Sequence, residues 1–272
     1  MKETPSQLKV PSYVLNFPFS LSTENPNNIW MEELSPEELQ INKPKAYKQF
    51  MDLYNFIAGG SLVYLLPSYN NYQDQVYVAN VGIQLPHIKD ANIVVLSNFT
   101  SEPRQGEELV AKPFLDAMNY TTHLCPFKWE GEADLKYIGG NNYIGGYGQR
   151  STLEAYQWME QMFDMNIIKV EMVEPYLYHL DCSVFPLTNE KTLICTELFT
   201  PEELEEISKY TEIIDINVDD AFGGLTNSVR MGNMVLWCGW IQHRQSREIK
   251  SLRTLLEFIL LREIILFRLT HY

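Results

Sequence analysis

The segment Tyr178-His179-Leu180-Asp181 sets an imidazole two positions from a carboxylate. Upstream, Glu130-Gly131-Glu132-Ala133-Asp134 gathers three acids in five positions. Histidine changes charge near neutral pH and can give or take a proton at a reacting atom. On an extended chain, residues two apart share a face. His179 and Asp181 are therefore expected on one surface of a strand over 177–185, the carboxylate fixing the ring's tautomer. By the same alternation Glu130, Glu132 and Asp134 share a face, where they repel unless a cation sits among them. A guanidinium, with its planar fork of donors, suits such a cluster. A metal ion is the competing cation, but no matching His/carboxylate constellation accompanies it, and neither metal nor cofactor is expected. The carboxylates would hold the cation while the imidazole moves protons, which is chemistry on a positively charged amidine. The bland readings are a structural histidine and a solvated acidic loop.

Gly145-Gly146-Tyr147-Gly148-Gln149-Arg150-Ser151 has neither phosphate-loop nor dinucleotide spacing. Its glycines suit a tight turn or close backbone approach, and Arg150 at its mouth is a candidate to hold a substrate carboxylate, or simply to pair with a nearby acid. Four cysteines, Cys125, Cys182, Cys195 and Cys238, form no CxxC pair and no zinc spacing. Cys182 is expected to point away from Asp181, and Cys195 to be a buried strand residue.

The elements that must position these groups alternate along 272 residues, 45% of them hydrophobic and 21% charged, enough for a sizeable core. Ser35-Pro36-Glu37-Glu38 has the form of a helix start, Pro44 restarts the helix, and Ala46, Tyr47, Phe50, Met51, Tyr54 and Ile57 give its stripe. Strands are expected at 61–66, 75–80, 92–98, 135–138, 143–146, 167–172, 177–185, 192–197 and 212–217. Helices are expected at about 105–118, 151–163 and from Thr200. The order strand, strand, helix, strand returns about every fifty to sixty residues, which predicts an α/β architecture of similar modules.

A net charge of −14 argues against nucleic acid and anionic membrane surfaces and favours small cationic partners. The N-terminus lacks the apolar run of a signal peptide, and a cytoplasmic setting is expected. Residues 239–272 differ in composition, with six Lys/Arg against three Asp/Glu, where the residues before them carry fifteen against thirty-two. The expectation is a domain over 1–236 and a basic, leucine-rich tail over 237–272, helical over 247–257. Such a tail is either a partner helix or translated out-of-frame sequence, and the sharpness of the break favours the second.

Six segments together resemble the guanidino-group-modifying penteins, the amidinotransferase and dimethylarginine dimethylaminohydrolase group. Gln75 to Gly82 is similar to their VFxANxG segment, and Arg104-Gln105-Gly106-Glu107 to their RxxE. Glu130 to Asp134 resembles an EGGD-type acidic motif, Gly148-Gln149-Arg150-Ser151 resembles G-x-R-[ST], His179-Leu180-Asp181 resembles HxD, and Asn227-Ser228-Val229 resembles N-x-[VI]. The likeness covers about residues 25–236. It implies a five-bladed α/β propeller of ββαβ modules, with a fifth module incomplete or replaced in this chain, and a substrate channel at the centre. It implies a small cationic guanidino substrate, with a homodimer left as an option. A cysteine thiolate attacks the guanidinium carbon, and the imidazole serves the leaving group. Carried over by position, Glu130 grips the guanidinium, with Asp134 as the alternative because of one extra residue in the motif. His179 is the general acid/base, and Asn80 and Asp181 line the site. The family's nucleophile lies close to the C-terminus after a further module. Cys238 falls about a module too early, so no nucleophile is identifiable.

Overall fold

Apolar tetrapeptides such as Ile93-Val94-Val95-Leu96 and Met234-Val235-Leu236-Trp237 become the middle strands of small sheets. A strand covered on both faces reads as an unbroken apolar run. The computed structural model describes residues 3–237, 257–260 and 267–268. Along the chain come β1 (Ser12–Asn16), α1 (Ile29–Glu32), α2 (Lys43–Ala58), β2 (Leu62–Leu66), β3 (Gly82–Gln84), β4 (Ile93–Leu96), α3 (Glu107–Ala117) and β5 (Thr121–Leu124). Then come β6 (Leu135–Gly139), β7 (Asn142–Tyr147), α4 (Leu153–Phe163), β8 (Asn166–Glu171), β9 (Val184–Pro186), β10 (Lys191–Ile194), α5 (Pro201–Ser208) and β11 (Glu212–Asp215). The last are α6 (Val218–Phe222), β12 (Ser228–Met231), β13 (Met234–Trp237), β14 (Glu257–Leu260) and β15 (Phe267–Arg268).

These strands form five three-stranded sheets, ordered β15-β1-β2, β3-β4-β5, β6-β7-β8, β9-β10-β11 and β12-β13-β14. In each, the middle strand pairs antiparallel with one neighbour and parallel with the other. A parallel neighbour needs a crossover, supplied by α2, α3, α4 and α5 in four of the sheets. Burial follows position: β1 is buried throughout, whereas the third strands β2, β5 and β11 are largely half-exposed.

The core is divided into apolar clusters, each shared between two sheets. Ile83 and Val95 pack with Leu135, Tyr143 and Ile167. Ile138 and Ile144 pack with Val184 and Ile194. Phe185 and Leu193 pack with Val235 and Trp237. Leu236 and Met231 pack with Tyr13 and Leu15, and Val14 and Leu66 with Val94 and Leu96. Among the described residues no helix is long and apolar enough to cross a membrane.

Several expectations are corrected here. Residues 35–40 form turns: Ser35 and Glu38 make the reciprocal bonds of a capping box, Glu38 Oε2 accepting from the Ser35 amide at 3.0 Å and hydroxyl at 2.8 Å. No helix follows them. The helix starts at Lys43, where Asn42 accepts from the Lys45 amide at 3.0 Å and Pro44 supplies a preset φ. The strand expected at 75–80 is a turn followed by a 3-10 segment, Val78–Val81, and most of the strand expected at 177–185 is likewise a turn. The apolar residues of both runs are buried against strands and helices of the core clusters, which imitates strand patterning. The helix expected over 247–257 lies outside the described residues except for Glu257, which opens β14. The described parts of the tail are strands, β14 parallel to β13 and β15 antiparallel to β1, so every sheet has three strands where an incomplete fifth module was expected.

Candidate active site

One kind of local structure delivers most of the expected site residues: a single 3-10 turn just ahead of the first strand of a sheet. Asn80 lies in Val78–Val81 before β3. Glu130 and Asp134 flank Gly131–Ala133 before β6. His179 begins the turn Leu180–Cys182 before β9. A 3-10 turn advances the chain little per residue, so its two flanks stay close and point into one space. This corrects the strand reading of both motifs. Glu132 is half-buried and apart from the inward pair, and His179 and Asp181 do not alternate along a strand. Gly131, at φ +69°, lets the acidic turn abut the Asn80 turn, since a Cβ there would lie 2.5 Å from the Asn80 carbonyl.

The partner of His179 is Asp134. His179 Nδ1 lies 2.9 Å from Asp134 Oδ1, which also accepts from the Leu180 amide at 3.2 Å. His179 Nε2 lies 3.1 Å from the Asn80 side-chain amide and 3.5 Å from Glu130 Oε2. With Nδ1–H donating to Asp134, Nε2 of the neutral ring accepts from Asn80. Burial pushes the His179 pKa down, but Asp134 foremost, then Glu130 and Asp181, outweigh it and hold the imidazole above its usual value.

Glu130 is fully buried. Its Oε1 accepts from the amides of Thr100 and Ser101, both at 3.0 Å. Its Oε2 has no hydrogen-bond partner among the described residues. A buried carboxylate oxygen without a donor is costly, and this one faces a cavity of about 680 Å³ lined by Asp74, Asn80, Glu130, Arg150, His179 and Asp181 among others. Asp181 is buried, and that burial raises its pKa. The Arg150 guanidinium lies 4.7 Å over the Tyr178 ring, donates to the Asn27 carbonyl at 2.5 Å and stands 3.8 Å from Glu130 Oε1. All six residues expected at the site thus meet around one space, Asp134 through its bonds to His179.

Three contributors carry no role in the sequence reading. Asp74, buried, accepts from Asn27 at 2.7 Å and Gln73 at 3.1 Å, and burial raises its pKa. The only sequence signal was a polar triplet, Gln73-Asp74-Gln75, ahead of an apolar run. Arg104 lines the cavity while donating twice to Glu107, at 2.7 and 3.1 Å, and to the Tyr77 carbonyl at 3.0 Å. Burial pushes the Glu107 carboxyl up to about 7. Burial thus outweighs the lowering by the bidentate Arg104 contact. Ser151 is buried and bonds Glu130 and Asp134.

Cys182 also lines the cavity. Its Sγ is 3.7 Å from Asp181 Oδ1, on the same side as that carboxylate and contrary to expectation. Burial and the adjacent Asp181 push its thiol well above the ordinary value. Cys195 is buried as expected, its thiol pushed up to about 11 by burial. Cys238 lies outside the described residues.

No family model matches the chain. It is 28% identical over 165 residues to the bifunctional arginine dihydrolase/ornithine cyclodeaminase of Nostoc sp., which covers 60% of this chain and 22% of that protein. It is 26% identical over 212 residues to the N(G),N(G)-dimethylarginine dimethylaminohydrolase of Mycobacterium tuberculosis, covering 77% of this chain and 67% of that protein. The chain thus spans about a fifth of the length of the first relative. Its fold superposes with a TM-score of 0.81 at 22% identity on the N-terminal domain of a cyanobacterial arginine dihydrolase bound to product, covering 93% of this chain and 91% of that one. On the dimethylarginine dimethylaminohydrolase of Pseudomonas aeruginosa, a cysteine-to-serine variant complexed with citrulline, the TM-score is 0.70 at 15% identity, covering 94% and 93%. In sequence and in fold, the chain is thus similar to arginine dihydrolases and dimethylarginine dimethylaminohydrolases.

Proposed function

We propose that the chain acts on arginine or a methylated arginine by covalent amidino chemistry, as a C–N hydrolase or an amidinotransferase. The observation that carries this is the buried, donorless Oε2 of Glu130, which faces the cavity 3.5 Å from His179 Nε2. A guanidinium supplies the missing donors and a neutralising charge at once. The relatives' activities on arginine and dimethylarginine point the same way. In this reading Glu130 holds the cation, Asp181 and Asn80 bound its pocket, and Arg150 takes the substrate carboxylate after leaving Asn27. A thiolate adds to the guanidinium carbon, and the amine leaves with a proton from His179 Nε2. The neutral imidazole then takes a proton from the water or amine that attacks the amidino-thioether, and the thiol is released. Asp134 keeps Nδ1 protonated throughout.

The five sheets also suit a closed ring around this cavity. The apolar clusters join the sheets in cyclic order, and the last described strand pairs with the first. A cytoplasmic location belongs to the same proposal.

One observation favours a second reading, binding without turnover. The described thiols of Cys125, Cys182 and Cys195 are all held protonated by burial, so no described residue is a ready thiolate. Mass spectrometry of the chain incubated with arginine and with dimethylarginine separates the two. Citrulline or ornithine that disappears in His179→Ala supports turnover. Saturable binding with no product and no covalent adduct establishes the second reading, and no binding at all defeats both.

A further inference from the structure

We propose that Ser151 is a positioning residue for this site: its hydroxyl joins the cation-holding Glu130 to Asp134, and so orients His179 and settles which of its ring nitrogens carries the proton. The inference rests on the function proposed above for Glu130 and His179, but its test does not need turnover.

Sequence assigns Ser151 to another task. Ser151-Thr152-Leu153-Glu154 has the pattern of a capping box, which would aim the serine hydroxyl at the first free amides of α4. In the structure Thr152 occupies the capping position, and its side chain makes no capping bond among the described residues. Ser151 is 2% exposed, and its hydroxyl accepts from the Glu130 amide at 3.1 Å and donates to Asp134 Oδ2 at 2.6 Å. The directions are unambiguous, since an amide only donates and an ionised carboxylate only accepts. A fold that aims a buried hydroxyl between two carboxylate-bearing residues, rather than at the helix start beside it, puts that hydroxyl in the service of the site.

The turn carrying Ser151 is fixed on both flanks. The Gly148 amide donates to the Ser151 carbonyl at 3.0 Å, the Thr152 amide to the Lys128 carbonyl at 3.0 Å, and Thr100 Oγ1 to the Arg150 carbonyl at 2.6 Å. The bonds form one series. Thr100 and Ser101 hold Glu130 Oε1; Ser151 links the Glu130 backbone to Asp134 Oδ2; Asp134 Oδ1 holds His179 Nδ1; and His179 Nε2 meets Asn80. Ser151 is the donor to Asp134 Oδ2. Without it that oxygen and the Glu130 amide both lose a partner in a closed site. Asp134, with one donor fewer, then draws the His179 proton more strongly, and the ring loses its fixed seat.

The charged and titratable groups facing His179 are Glu130 and Asp134 from the acidic turn, Asp181 and Cys182 from its own turn, Tyr178 beside it, Arg150 across the Tyr178 ring, and Lys136 behind Asp181. Of these, Glu130 bonds Ser151 through its backbone amide and Asp134 through its carboxylate, so a change at Ser151 reaches the ring nitrogen through the Asp134 carboxylate.

The test is an NMR titration of the His179 ring nitrogens in the full chain, comparing wild type with Ser151→Ala and Ser151→Thr. In Ser151→Ala the midpoint is expected to rise by about one pH unit, the equivalent of one charge-assisted hydrogen bond. Ser151→Thr, which keeps the hydroxyl, returns it to the wild-type value. A purely structural serine would lower the melting temperature without moving the midpoint, and an unmoved midpoint in Ser151→Ala overturns the proposal. So does a Ser151→Thr midpoint displaced as far as that of Ser151→Ala. If Ser151→Ala does not fold, Ser151→Cys keeps the volume with a much weaker donor and is read the same way. Failure of the proposed function is seen separately, as absent binding of arginine to the wild type.

Discussion

Glu130 is the residue on which the guanidinium reading turns. Its two oxygens have different work: Oε1 is saturated by two backbone amides, which fixes the carboxylate, while Oε2 stays open to the cavity. Glu130→Gln keeps an oxygen for Thr100 and Ser101 but puts an N–H₂ group where Oε2 stood. A hydrogen bond to a charged group is worth about 1.5–3 kcal/mol, so calorimetry with arginine should show binding weakened by about 10- to 100-fold. The denaturation midpoint should change little, because the amide contacts survive. Unchanged affinity would contradict the assignment of Glu130 to the cation.

Among the elements, the helix starts show how one sequence pattern serves two ends. Thr200-Pro201-Glu202-Glu203 makes a complete capping box: Thr200 accepts from the Glu203 amide at 3.2 Å, and the Thr200 amide donates to Glu203 at 2.8 Å. Ser151-Thr152-Leu153-Glu154 looks equivalent, but Thr152 makes no capping bond among the described residues. Thr200→Ala should therefore cost about 1 kcal/mol in urea denaturation, whereas Thr152→Ala should stay within about 0.5 kcal/mol. Equal losses at the two sites would show that α4 is capped by its side chains after all. The 3-10 turns ahead of β3, β6 and β9 are the other elements that matter here. Each ends a loop at the same point of its module, which is how residues about fifty apart in sequence converge.

At the scale of the whole molecule, buried titratable groups tie stability to pH. His179 is held above its usual value, so its contribution is fully present below about 6.5 and is lost as pH rises through the raised midpoint. Asp74 and Asp181 are raised by burial, and Glu107 is pushed up to about 7. The folded chain keeps these protons longer than the unfolded chain, so each also loses stability as pH climbs out of the carboxylate range. Glu38 and Asp116, held low at the surface, act only in acid. All four buried groups have the same sign, so the urea midpoint should fall steadily between about pH 5.5 and pH 8. A level or rising profile across that window would mean that these groups titrate normally in the folded chain.

The alternation of short apolar runs with capped helices was legible in the sequence because burial on both faces of a middle strand leaves a local mark. So were the acids, the imidazole and Arg150, since residue type alone announces charge and proton chemistry. What could not be read is which of them meet. Local alternation paired His179 with Asp181, its neighbour in sequence. Folding paired it with Asp134, because two 3-10 turns from different modules close on one space, and turns of three residues leave no periodicity to detect. Ser151 and Asp74 were hidden for a related reason: a serine before a helix and an acid in a loop have ordinary local explanations, and only packing against distant chain turns them toward the cavity. Sequence thus determined the chemical inventory and the modular order, while the tertiary structure alone decided the partners, since hydrogen bonds form between groups near in space whatever their separation along the chain.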